Sequence, residues 1–124
     1  MAKVTVYPTY VGIEEAVTSV AGTTVTDATN GCDVVLNGID TNGHAVSVKD
    51  ESALFILENT STSALDVTVK AGDGWAAVND EIITIPASTT VLRRFEGAKY
   101  KNKGVITLIP KTASALKVTA YNLK

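Results

Sequence analysis

The chain is short of the residues from which most reactive centres are built. It has one cysteine, Cys32, and one histidine, His44, in 124 residues. A lone cysteine cannot close a disulfide within the chain, which excludes the bridged scaffold of small secreted domains and fits assembly in a reducing cytoplasm. With no second cysteine or histidine, the ligand set of a zinc site cannot be completed. Neither a Gly-x-Ser-x-Gly elbow nor a phosphate-cradling glycine loop is present, and Gly72-Asp73-Gly74 reads as a plain turn. Long apolar runs are missing too. The longest, such as Ala53–Leu57, fall far short of the roughly 20 residues that cross a bilayer. The opening Met1–Pro8 alternates polar and apolar residues without the apolar core of a signal peptide, so neither export nor membrane insertion is expected. These absences predict a protein that is not an enzyme, with no catalytic residues, no cofactor and no metal.

Basic residues are scarce in one half only. Residues 1–62 hold Lys3 and Lys49 against eight Asp and Glu, whereas residues 63–124 hold nine basic against five acidic side chains. The net charge is -2 and the pI about 5.3, which argues against nucleic acid as a partner. Faces of opposite sign suit packing against copies of the same chain or against an acidic protein surface.

What the chain does have is Thr and Val in quantity, β-branched residues that suit a pleated sheet. Leu65–Lys70 alternates apolar and polar side chains with a period of two, as a half-buried strand requires. Ala53–Leu57 is continuously apolar, as expected of a central strand covered on both faces. With Lys3–Tyr7, Asp33–Leu36, Ala45–Lys49, Ile82–Ile85, Val91–Phe95, Gly104–Ile109 and Leu116–Tyr121, about nine strands are expected. Three hairpins are predicted, closed by Asn59–Ser63, by Pro86–Thr89 and by Pro110–Ser114. Asn37-Gly38 and Asn42-Gly43 predict tight turns upstream. The fold class is therefore all-β, a single-domain β-sandwich or jelly-roll-like barrel of about eight or nine antiparallel strands over residues 1–124. Residues 1–29 beyond the first strand read as an extended arm or long loop, with one helical turn at Ile13–Val17, weak strand or loop over Val20–Thr26, and an ordering that waits on docking.

The remaining candidates concern binding. Trp75, the only tryptophan, falls in the Ala71–Asp80 loop, where an aromatic can anchor a contact or fold back on the core. Arg93, Arg94, Lys99, Lys101 and Lys103, with Tyr100 among them and Glu96 opposing, form the densest positive stretch, either a solvated loop or a patch for an acidic partner. Asp80-Glu81 reads as a solvated turn. Asn59-Thr60-Ser61 matches a glycosylation sequon that has no meaning without export. Cys32 with His44 is the one conceivable nucleophile pair.

The chain resembles the small virion proteins of tailed phages that decorate capsids. The residues that carry the resemblance are Met1–Thr5, Leu54-Phe55-Ile56, Asn59, Ser63–Leu65, Val67–Val69, Ile83–Ala87, Phe95 and Leu116–Leu123. It covers the last 70 residues or so well and the first 50 poorly. It implies a β-sandwich or jelly-roll subunit, made in the host cytoplasm, that binds the major capsid protein on the outside of the shell. It also implies a homo-oligomer, a trimer being favoured. The expected function is structural cementing; the alternative is a glycan- or receptor-binding module of a phage tail or fibre, with Trp75 and Tyr100 stacking on sugar rings.

Overall fold

A computed structural model gives the structure of the protein, and it describes residues 3–12, 19–49, 52–73 and 79–123. Among the described residues the chain is all-β, with a short helical turn after the tenth strand. The strands are β1 (Val4–Val6), β2 (Thr9–Val11), β3 (Thr23–Val25), β4 (Cys32–Val35), β5 (Asn37–Ile39), β6 (Ala45–Ser47), β7 (Ala53–Asn59), β8 (Leu65–Val69), β9 (Glu81–Ile85), β10 (Thr90–Arg93), β11 (Lys101–Asn102), β12 (Val105–Pro110) and β13 (Leu116–Leu123). The helical turn α1 is Gly97–Tyr100.

The first sheet runs β1-β4-β12-β8-β9, with β11 also on β12. The second runs β10-β7-β13-β2, with β3 also on β13. A small hairpin, β5 with β6, stands apart from both. Alternation decides which side chains face inward. In β8, Leu65, Val67 and Val69 are buried and Asp66 and Thr68 are not; in β12, Ile106 and Leu108 are buried between partly exposed neighbours. The inward rows of both sheets, Val34, Val67, Ile85, Ile106 and Leu108 from the first and Phe55, Leu57, Leu116 and Val118 from the second, belong to one apolar cluster. Each such side chain removed from water contributes about 1.5–3 kcal/mol before the entropy of ordering is set against it.

The nine expected strands are all present, but the count, pairing and closure differ from expectation. Thirteen strands are formed among the described residues; β1 runs parallel to β4 and β2 parallel to β13, so the sheets are mixed, and none closes into a barrel. Ala53–Leu57 is central, between β10 and β13, yet only Ala53, Phe55 and Leu57 are buried, so it is covered on one face and not on two. All three predicted hairpins are replaced by crossings. β7 and β8, β9 and β10, and β12 and β13 each lie in different sheets. Two stacked sheets are about 10 Å apart, a gap that a link of four or five residues spans as readily as it folds back, so turn composition does not choose between the two outcomes.

The first 29 residues contribute three strands. β1 joins the first sheet, while β2 and β3 lie end to end along β13 in the second. The helical turn expected at Ile13–Val17 lies outside the described residues. Upstream, Asn42-Gly43 does make a turn, with Gly43 at φ 81° and Asp40 Oδ1 accepting from the Asn42 and His44 amides. Asn37-Gly38 instead forms part of β5.

Candidate functional site

The two sheets meet at an open margin where β9 and β10 are edge strands, each paired on one side only among the described residues. Glu81, Ile83 and Ile85 form the inward row of β9, and Val91 and Arg93 that of β10, because they pair with buried Val69, Val67 and Leu65 and with Leu57 and Phe55. The last place in each row thus holds a charge at the rim of the core. The charges satisfy each other: Arg93 Nη2 donates to both Glu81 oxygens, at 3.1 and 2.8 Å. Tyr100 Oη donates to Glu81 Oε1 at 3.2 Å. Burial, then the adjacent Glu81 carboxylate, pushes the Tyr100 hydroxyl above its ordinary value, so it stays a neutral donor. Below this cluster Phe95 meets Phe55 edge-on at 5.0 Å and Tyr100 edge-on at 5.9 Å, and the Arg93 guanidinium lies 5.2 Å from the Phe95 ring centre.

The basic stretch is therefore built into the fold. Lys99 pairs with Glu96 at 3.4 Å along α1, and Lys101 Nζ donates to Asn37 Oδ1 at 3.1 Å. Arg94 is exposed and has a partner of its own. Lys103 is exposed and sits at φ 52° before Gly104 at φ 86°, the two-residue turn that joins β11 to β12. Positive φ at both positions is the type I′ geometry of a tight hairpin. Of the sequence candidates, the structure brings Arg93 and Tyr100 together at Glu81, a charged ledge at the rim of the core, and gives Lys99 and Lys101 the partners Glu96 and Asn37. Trp75 lies outside the described residues. Glu81, read with Asp80 as a solvated turn, is the residue that sequence reasoning missed. Its signal was its position two residues before Ile83 in an alternating strand, which aims it inward.

Asp80 also has a partner. Its carboxylate accepts from Lys70 Nζ at 2.9 Å and from the Ala71 amide at 2.7 Å, which closes the neck of the 70–80 segment. The Lys70 ammonium first, and the Ala71 amide next, hold the Asp80 carboxyl below its ordinary value. Beyond the neck, the Gly72 amide donates to Lys99 O at 2.8 Å. A Cβ at Gly72 would stand 2.6 Å from Lys101 O, so only glycine allows this approach.

On the outer face of the first sheet, where Lys70 and β11 diverge, lies a groove of about 330 Å³. Thr107 and Ile109 of β12 belong to its lining, with Lys3 and the Thr29-Asn30 turn on the β1–β4 side and Lys70, Ala71, Tyr100 and Asn102 on the other. The turn is shaped by buried Asp27, which accepts from the Thr29 and Asn30 amides at 2.8 and 3.0 Å, the Asn30 amide being the main cause of its lowered pKa. Gly31, at φ 71°, lets the turn close on β12, because a Cβ there would be 2.1 Å from Leu108 O.

The conceivable nucleophile pair is not assembled. Cys32 is fully buried in β4 and its thiol is pushed up to about 12 by desolvation first and by Asp33 next, so it is protonated at neutral pH. His44 stands in solvent at the tip of the β5–β6 hairpin, its side chain 78% exposed. Asn59 of the sequon is fully buried, and its amide nitrogen donates to Ser63 O, Ile85 O and Pro86 O, which leaves no room for a sugar in the folded chain. Among the described residues, no group of three or more His, Cys, Asp or Glu could hold a metal ion, and no helix is long and apolar enough to cross a membrane. Compared with family models, curated proteins and solved structures, the chain matches none of them.

Proposed function

We propose that this protein is a structural virion component that binds the outer surface of a phage capsid and stabilises it. In this reading the two sheets and their shared core form a β-sandwich subunit that acts through its surface alone. The observation that carries it is the open margin: two edge strands lie side by side there, and Ile82 on β9 and Leu92 on β10 are 64% and 63% exposed. Unpaired strand edges flanked by exposed aliphatic side chains are contact surfaces for another chain, and the Arg93–Glu81–Tyr100 cluster holds the margin in a fixed shape. The major capsid protein is the proposed partner, with further contacts between copies of the chain in a trimer. Binding of this kind adds free energy that opposes shell rupture without any chemistry.

The direct test is to incubate the purified protein with undecorated heads of the source phage and image them. Added density at regular lattice positions is expected, together with a higher temperature of shell rupture. Mature shells that gain no density would refute the reading. The glycan-binding alternative draws less support from the described residues, since the Tyr100 ring packs against Phe95 and its hydroxyl is committed to Glu81.

A further inference from the structure

The groove over Thr107 is lined by several hydrogen-bond donors. Lys3 and Lys70 line it from two sides, with the amides of Asn30 and Asn102 and the hydroxyls of Thr29 and Thr107 between. Among the described residues, no acidic side chain belongs to the lining. The carboxylates that pair with the two lysines, Asp33 at 3.3 Å and Asp80 at 2.9 Å, are both outside it. Each ammonium has three donors and meets one carboxylate, so each keeps donors for a guest. Thr107 Oγ1 donates to Asp33 Oδ1 at 2.7 Å, which leaves the hydroxyl oxygen able to accept a peptide N–H.

We infer that this groove is a receptor for an acidic side chain, Asp or Glu, carried on an extended segment of a partner protein. A carboxylate held between Lys3 and Lys70 accepts a charge-assisted bond from each; the Asn102 side-chain amide borders it on one side, and on the other Asn30 Nδ2, which gives one hydrogen to Asp27 Oδ2 at 3.1 Å, keeps its second for the peptide. The volume is at the low end of ligand sites and suits one acidic residue with its flanking backbone. The inference rests on the capsid-binding reading, to which it adds the chemistry that the partner must present.

The test uses the whole protein, labelled with nitrogen-15, and titrates it with the peptide acetyl-Gly-Glu-Gly-Glu-Gly-amide, with its Gln counterpart and with glucuronate. Amide shifts confined to Asn30, Lys70, Asn102 and Thr107 are expected with the acidic peptide, absent with the Gln peptide. Binding should be at least tenfold weaker in Lys3→Gln and in Lys70→Gln, whose spectra report whether the fold is kept. Asn102→Ala, which retains both charges, should weaken it less. Shifts no larger than those from sodium chloride at matched ionic strength overturn the inference, as does glucuronate binding more tightly than the peptide. The same variants are then added to undecorated heads. If wild-type protein fails to bind shells but binds the peptide, the capsid reading falls and the groove stands; if shells bind all variants equally, the groove falls and the capsid reading stands.

Discussion

The two ends of the molecule are fastened by different forces. At the end where β7 and β9 finish, three crossing loops are tied by neutral bonds. The Asn59 side chain donates to Ser63 O, Ile85 O and Pro86 O and accepts from the Ser61 amide; Asn59 N reaches Thr89 O, Thr60 N reaches Ala115 O, and Ser88 N reaches Ser61 O. At the end where β9 begins and β10 finishes, charge does the corresponding work through Arg93–Glu81, Lys70–Asp80 and Lys99–Glu96. Neutral bonds, of which Asn59–Ile85 is buried and the rest are part-exposed, are indifferent to salt and to mild changes of pH, whereas part-exposed ion pairs respond to both. The charged end is therefore the adjustable one, and it is also where the open margin and the groove lie.

The sharpest way to separate the two ends is to remove the neutral tie. Asn59→Ala removes the partner of three carbonyls and of the Ser61 amide, the Ile85 carbonyl being buried and the others part-buried, and the loss should be about 3 kcal/mol, since a buried group left without a partner costs about 1–3 kcal/mol and water satisfies the more open ones. Urea melts at low and at high salt should show the same loss. A loss below about 1 kcal/mol would mean that the loops hold together without this side chain. Gly72→Ala is the steric counterpart at the charged end. Its methyl would meet Lys101 backbone, which cannot yield as a side chain can, so about 2 kcal/mol is expected. Hydrogen exchange should show the effect at the Gly72 and Asp73 amides, which donate to Lys99 O and Lys101 O.

Removing charge should cost less and should depend on conditions. Glu81→Gln keeps the shape but loses the ion pair, and because Arg93 and Glu81 are about one-third exposed, roughly 1 kcal/mol is expected at low salt, shrinking as sodium chloride is added. An equal loss at all salt concentrations would place this pair with the neutral end. Acid provides a parallel experiment. The Asp80 carboxyl is held below its ordinary 3.8 in the folded chain, so its contribution is present above that value and disappears as pH falls through the lowered folded one. Asp80→Asn should flatten that part of the profile by a few tenths of a kcal/mol, given the exposure of both partners. Tyr100 has the opposite sign. Its pKa is raised above 10.0, so its contribution is complete below pH 10.0 and fades as pH rises through the folded value.

The difference between the ends also governs what could be read from the sequence. Alternation in Leu65–Lys70 is local, and it gave that strand and its buried face directly. Pairing is not local. Whether Pro86–Thr89 turns back or crosses to the other sheet depends on Asn59, 26 residues before Ile85, and nothing in the loop itself records that bond. The short strands β2 and β11 escaped, and β3 showed only as weak strand or loop over Val20–Thr26, because each is held by a long partner already formed, β13 or β12, and not by its own propensity. The ledge was legible in part: Arg93 and Tyr100 were found by composition, but Glu81 required knowing that two edge strands present their inward rows to each other.

The smallest expected effect tests the basic stretch without damaging it. Lys103 adopts φ 52° in a turn whose geometry favours Asn followed by Gly, and here Gly104 already holds the second place. A lysine in the left-handed region is strained by roughly 1 kcal/mol, and asparagine relieves part of this because its short side chain bonds locally. Lys103→Asn should therefore raise stability by about 0.5 kcal/mol while removing one exposed positive charge. The two consequences have opposite meanings for function. If shells bind the more stable variant less tightly, the charge at this turn contributes to docking, because a folding defect has been excluded by the sign of the stability change. If the variant is more stable and binds equally well, Lys103 leaves the list of contact residues and the margin beside Ile82 and Leu92 carries the interface. A variant that is less stable than wild type would refute the assignment of the turn itself.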